Sequence, residues 1–209
     1  MKLRWLSVRA LEKSLQQCKM PMVNNSLEKG IVLHCAPTLA GMKTAGLFRH
    51  FYQERSHVMD ELDGVNRLLN GRGVYVEILR WDEKAALVYV YRLSHLRETL
   101  IRKEVIDLLS EYGYQDMSVE ACILHLKTRL LDEHSCFPHE IGVFLGYPMK
   151  DVRGFIENKG ENCKCCGMWK VYGDEKEEVK LFCKYKKCAE IYQHCFSCGR
   201  ALVQMTVCA

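Results

Sequence analysis

The chain has 209 residues, 48% of them apolar, enough to bury a core as one domain with appendages. Its 30 basic residues are interspersed with 26 acidic ones, and a net charge of +4 lacks the strong bias of a free-standing nucleic-acid or membrane-surface binder. No stretch approaches the ~20 apolar residues of a membrane span, and residues 2–20 (KLRWLSVRALEKSLQQCKM) interrupt every apolar run with a charge and do not read as a signal peptide.

In chain order, residues 1–22 read as a basic amphipathic appendage stopping near Pro21, and residues 23–209 as a single domain. Asn25-Ser26 offers an N-cap for a helix from Leu27 to His34 that Pro37 should end, leaving residues 37–43 as a loop. Ala45 to His50 reads as a strand. Val58, Leu62, Val65 and Leu69 share one face of a helix that Asn70-Gly71-Arg72-Gly73 stops. Val74 to Trp81 and Ala85 to Tyr91, rich in β-branched and aromatic residues, read as a hairpin joined by Asp82-Glu83-Lys84. Ser94 should cap a short helix, a second covers Lys103 to Tyr112, and Ser118 caps a third with Val119, Cys122, Ile123, Leu126 and Leu130 as its core stripe. Helices opened by Pro138 and Pro148 follow, then a brief strand over Trp169 to Tyr172. Asp174 starts a last helix reaching about Cys198. The class is α+β: a small, mainly antiparallel sheet of three or four strands covered by helices, with a long C-terminal helix.

Three groups of residues carry chemistry. With Pro138 at a first helical position, His139 and Glu140 would sit in the first turn. The helix field there favours an ionised Glu140 and a neutral His139, able to bind a metal or accept a proton; plain capping by Glu140 is the structural alternative. The second group is His34, Thr38 and Lys43, whose turn could cradle a phosphate or carboxylate although it lacks the glycine-rich run of a P-loop. His34 could equally be a histidine satisfied at a helix C-terminus. Convergence of the two groups would make a pocket for a divalent metal or a small anion, with His139, Glu140 and His34 as candidate catalytic groups and Thr38, Lys43 and Arg92 as ligand-binding ones. Arg92 enters because it ends a strand otherwise composed of core residues.

The third group is cysteine. Of 12 cysteines, eight fall in the last 47 residues, the cysteine-rich strand–helix unit of residues 163–209. Cys163-Lys164-Cys165-Cys166-Gly167 and Cys195-Phe196-Ser197-Cys198-Gly199 both have the C-x-x-C-G form of zinc knuckles. A chain running out through Trp169 to Tyr172 for about 30 Å and back along the last helix for about 30 Å would bring Cys163, Cys166, Cys195 and Cys198 onto one closed, structural zinc ion. Cys165 should point away. The bland alternative is a set of small buried or surface thiols, and so many cysteines without a leader favour a reducing, cytoplasmic setting.

Phe137-Pro138-His139-Glu140 together with Leu145-Gly146-Tyr147-Pro148 resembles the uncharacterised bacterial family numbered 3793 among the domains of unknown function. The likeness extends from His34-Cys35-Ala36-Pro37-Thr38-Leu39-Ala40-Gly41 through Val88-Tyr89-Val90-Tyr91-Arg92 and Asp151-Val152-Arg153-Gly154-Phe155-Ile156 to Trp169-Lys170-Val171-Tyr172. The resemblance implies a bacterial, cytosolic, anaerobe-type protein and no activity. The family does not carry both cysteine pairs, so zinc would be an addition of this branch. The functional expectation is a His/Glu/Lys pocket for a metal or small anion, linked to iron or redox physiology. A DNA-binding helix-turn-helix over residues 138–159, reading through Met149, Lys150, Arg153 and Asn158, is the alternative. Asp151, Glu157 and the mild net charge weigh against it.

Overall fold

The computed structural model describes residues 26–132 and 137–208. The basic appendage of residues 1–22 lies outside them. Helix α1 spans Leu27–Leu39, with Ser26 capping it by accepting from the Lys29 N–H at 3.3 Å. The helix does not end at Pro37. It breaks at Cys35 (φ −122°, ψ 15°) and resumes through Leu39, because a proline ring removes one helical hydrogen bond and clashes with the carbonyl four residues back. Strand β1 (Ala45–Phe51) and helix α2 (Arg55–Leu69) follow, the latter burying Val58, Leu62, Val65 and Leu69 as its spacing predicts. Strands β2 (Val74–Trp81) and β3 (Ala85–Arg92) form the expected hairpin.

The sheet is antiparallel throughout, in the order β1-β3-β2. Central β3 is buried along its whole length, and its alternating side chains feed two cores. Ala86, Val88 and Val90 pack with α1 and α2 on one face, while Leu87, Tyr89 and Tyr91 pack on the other. That second face is covered by α3 (Leu93–Leu100), α4 (Lys103–Glu111), α5 (Val119–Leu131), α6 (Ile141–Phe144) and α7 (Met149–Glu157). Helix α3 starts directly from β3 with Arg92 in the cap position, so Ser94 lies inside it and caps nothing. Ser118 does cap α5, accepting from the Ala121 N–H at 3.4 Å.

After α7 the chain makes a small two-stranded hairpin, β4 (Cys165–Cys166) and β5 (Lys170–Val171), then the 23-residue helix α8 (Glu175–Ser197). Asp174 caps α8 through its Oδ1, which accepts from Lys176 and Glu177. Helix α8 packs along α1, yet only Tyr185 and Cys188 on it are buried. A final 3₁₀ turn, Leu202–Met205, buries Leu202 and Met205 in the α1–α2 core. No described helix is long and apolar enough to cross a membrane.

Arg92 ties these layers together. It is 1% exposed. Its Nε donates to the Thr38 carbonyl at 2.6 Å, and Nη2 donates to the carbonyls of Leu39 at 2.6 Å and Val207 at 2.8 Å. Two of these acceptors are carbonyls at the end of α1, where the helix has no intrahelical donor to offer. Burial lowers the Arg92 pKa, but a guanidinium starts high enough to stay charged. Replacing Arg92 with Met should therefore lower unfolding stability by about 4 kcal/mol, since charged hydrogen bonds to three carbonyls, two of them buried, are lost together. Urea titration measures the loss, and faster amide exchange at Val207 should accompany it. Arg92→Lys should recover only part, because an ammonium cannot reproduce the fork.

Candidate functional site

The turn that leaves α1 is held by its own backbone: the N–H groups of Met42 and Lys43 both donate to the Pro37 carbonyl, at 2.8 and 3.2 Å. This sets Lys43 just before β1, with its Nζ 5.1 Å from the centroid of the Tyr147 ring. Tyr147 in turn stacks on Trp169, with centroids 4.5 Å apart and planes at 25°. Gly146 makes the approach possible. Its φ is +72°, and a Cβ there would lie 2.5 Å from the Thr44 hydroxyl oxygen, so only glycine lets this segment settle on the turn. The Leu-Gly-Tyr-Pro motif thus has a physical reason: it seats an aromatic ring beneath a lysine.

Lys43 is partly buried and has no carboxylate partner among the described residues. Burial pushes its pKa down to about 8, with Cys35 acting weakly in the opposite direction. Cys35 is fully buried and its thiol is pushed up to about 12, chiefly by burial. Thr38 is likewise fully buried, and its hydroxyl oxygen has no hydrogen-bond partner. His34 stacks on Phe48 at 5.1 Å, and burial lowers its pKa.

His139 and Glu140 have other neighbours. Pro138, His139 and Glu140 form a turn, with Ile141, Gly142 and Val143 donating three residues back, so Pro138 does not begin the helix and Glu140 takes the N-cap position of α6. Glu140 is fully buried. Its Oε1 accepts from Arg129 Nε in an ion pair and from the Tyr114 hydroxyl at 3.4 Å, while Oε2 has no partner. Arg129 also lies 5.1 Å from the centroid of the Tyr112 ring. His139 meets Phe155 edge-on at 5.0 Å, and burial lowers its pKa against the opposing charge of Glu140.

The two segments touch, but not through the expected meeting of His34, Thr38 and Lys43 with His139 and Glu140. Thr44 meets Gly146 and Lys43 meets Tyr147, whereas the contacts given above for His34 and Lys43 involve no residue that touches His139 or Glu140. Arg92 does not face a ligand site; its guanidinium is occupied by three carbonyls.

The C-terminal cysteines also part company. Trp169 to Tyr172 does not run outward. It folds back so that Cys165 pairs with Val171 and Cys166 with Lys170. Asp151, 2% exposed, locks the fold-back: Oδ2 accepts from Trp169 Nε1 at 2.8 Å, and Oδ1 accepts from the N–H groups of Tyr172 and Gly173, each at 2.7 Å. Cys163 and Cys166 meet at 3.3 Å between sulfurs, and Cys165 packs beside Trp169, Val171 and Tyr185. Gly167 rests against the Phe182 ring. Cys195 is half-buried beside the α1–α2 core and Cys198 lies 3.9 Å from His194 Nε2. From Phe182 to Cys195 the helix rises about 20 Å, so the two pairs do not gather around one zinc ion. Among the described residues no group of three or more His, Cys, Asp or Glu side chains could hold a metal ion.

The helix-turn-helix geometry is not formed. Helix α6 has four residues, Asp151 is buried in α7, and Arg153 Nη2 donates to the Glu104 carbonyl at 3.2 Å. Sequence reasoning missed Asp151 and Tyr147 as organisers. The signal was there for Asp151: it stands with Val152 and Phe155 on one helical face, an acid in an otherwise apolar stripe.

Two substitutions should separate the two charges. Glu140→Ala strands Arg129 and should cost about 3 kcal/mol in urea unfolding. Lys43→Met should instead raise stability at neutral pH. The folded pKa near 8 lies below the ordinary 10.5, so the charged amine penalises the fold fully below pH 8. That penalty fades as pH rises from about 8 to about 10.5, and the advantage of Lys43→Met over the parent should shrink over the same window in thermal melts.

The family described as "Protein of unknown function (DUF3793)" matches residues 31–206. No curated protein and no solved structure matches the chain.

Proposed function

The chain belongs to the DUF3793 family, which brings no activity with it, and we propose from the site's geometry that it binds a small anionic ligand at Lys43. One observation carries the reading: an ammonium drawn partly out of water, with no carboxylate to meet it among the described residues. Burying an unpaired charge is costly. The Tyr147 ring offsets part of that cost through the cation–π attraction and leaves hydrogen-bonding capacity on Nζ unused. A carboxylate or phosphate oxygen supplies the missing partner, and the unpaired Thr38 hydroxyl in the preceding helix turn is a second polar group available nearby in sequence. The bacterial and cytoplasmic setting belongs to the same proposal.

A metal at His139 is the less supported form of ligand binding. Burial lowers the pKa of the imidazole, the direction that favours the neutral form a ligand needs, but the neighbouring Glu140 is already paired with Arg129.

The test is calorimetric titration of the full chain with inorganic phosphate, acetate and citrate. Saturable binding of at least one anion is expected, weakened about tenfold or more by Lys43→Met, the scale of a charge-assisted hydrogen bond. Affinity should fall as pH passes about 8, where the free amine loses its proton. Absence of saturable binding, or binding indifferent to both Lys43→Met and pH, overturns the proposal.

A further inference from the structure

Two C-x-x-C-G segments of identical spacing occupy different geometries. At the end of α8, Cys198 turns toward His194, its sulfur 3.9 Å from Nε2. On the β4–β5 hairpin, Cys163 and Cys166 face each other at 3.3 Å. Their backbone is fixed on both sides: the Lys164 N–H donates to the Val171 carbonyl at 2.8 Å, and the Gly167 N–H to the Trp169 carbonyl at 3.0 Å. Asp151 then fastens the hairpin to α7 through Trp169, Tyr172 and Gly173. Cys166 is exposed and Cys163 is half-buried. The site is thus a preformed dithiol in which Cys166 is the more exposed residue and Cys163 the less exposed one.

We propose that Cys163 and Cys166 form a redox couple that exchanges with low-molecular-weight disulfides, Cys166 as the attacking thiol and Cys163 as the resolving one. The Cys166 thiolate attacks one sulfur of the small disulfide. A protein–small-molecule disulfide forms and the first small thiolate departs. Cys163, losing its proton, attacks the Cys166 sulfur, closes the Cys163–Cys166 bond and expels the second small thiolate. Two protein thiols are oxidised, one small disulfide is reduced to two thiols, and the two protons end on the leaving thiolates.

The division of labour follows from the surroundings. Cys166, the more exposed residue of the pair, is the one a small disulfide reaches more readily. Burial first, and then the hydrogen bond with Cys166, raises the Cys163 thiol above its ordinary pKa. Once the mixed disulfide forms, the resolving sulfur is already in contact distance, so closure outruns a second encounter with free thiol. Cys165, packed beside Trp169, Val171 and Tyr185, does not compete. The reaction concerns different residues from the Lys43 site and stands or falls without it.

Incubation of the reduced full chain with glutathione disulfide, followed by peptide mapping, tests the couple. The expected first product is a loss of two free thiols with the new bond mapped to Cys163–Cys166, reversed by dithiothreitol and unchanged in a Cys195→Ser/Cys198→Ser variant. Cys163→Ser should accumulate the glutathione adduct on Cys166 and stop there. At the hairpin, Cys166→Ser should react more slowly than the parent, since only the half-buried Cys163 and Cys165 remain there. A first disulfide mapped to any other pair, stable adducts on both hairpin cysteines of the parent, or no reaction at either sulfur overturns the proposal.

Discussion

A single guanidinium, Arg92, sits where the central strand, the first helix and the C-terminal tail meet, and the rest of the architecture is arranged around it. A broken helix such as α1 leaves carbonyls at its end that water would normally satisfy. Here water is excluded, and Arg92 supplies the donors to Thr38, Leu39 and Val207 from the end of β3. The tail reciprocates, since the Val207 N–H donates to the same Leu39 carbonyl at 3.0 Å. Because the end of α1 is fixed, the turn after it is fixed, and with it the position of Lys43.

A second cross-link runs through aromatic rings. Lys43 lies over Tyr147, Tyr147 stacks on Trp169, and Trp169 meets Phe182 of α8 edge-on at 4.5 Å. Asp151 holds the Trp169 indole from the far side. These contacts join the turn after α1, the two-stranded hairpin and the last helix, which would otherwise share little apolar surface. Helix α8 needs such anchors because most of its residues face solvent. The hydroxyl of Tyr185, donating to the Met42 carbonyl at 3.0 Å, adds another on the same turn.

Glu140, fully buried, and Lys43, partly buried, are charges with different roles. Glu140 is paired with Arg129 and hydrogen-bonded by Tyr114, so it reads as a structural acid that fixes the start of α6 against α5. Lys43 has an aromatic face and no counter-charge among the described residues, so burial acts on its pKa instead. The sulfurs divide too, with Cys35 and Cys122 buried as core and the Cys163–Cys166 pair presented at the surface.

Local pattern sufficed for most elements. Apolar spacing in α2 and α5, the serine caps of α1 and α5, and the β-branched hairpin of β2 and β3 depend on neighbours within a few residues, and these were legible in the sequence with the α+β class. Proline positions were read less well. Pro37 predicts a helix end and Pro138 a helix start, but packing carries α1 across its kink and makes residues 138–140 a turn. The site was legible as segments and not as partners: the stretches around Lys43 and Tyr147 stood out, while the contact between them depends on a glycine-permitted approach between residues roughly a hundred positions apart. The same limit governed the cysteines. Spacing alone makes two equivalent C-x-x-C-G knuckles, and only the carboxylate of Asp151, folding the hairpin back onto α7, decides that one pair meets and that the pairs stay apart. Sequence determines what a short stretch can do by itself; the choice among partners belongs to tertiary structure, because burial and counter-charge are set by residues distant along the chain.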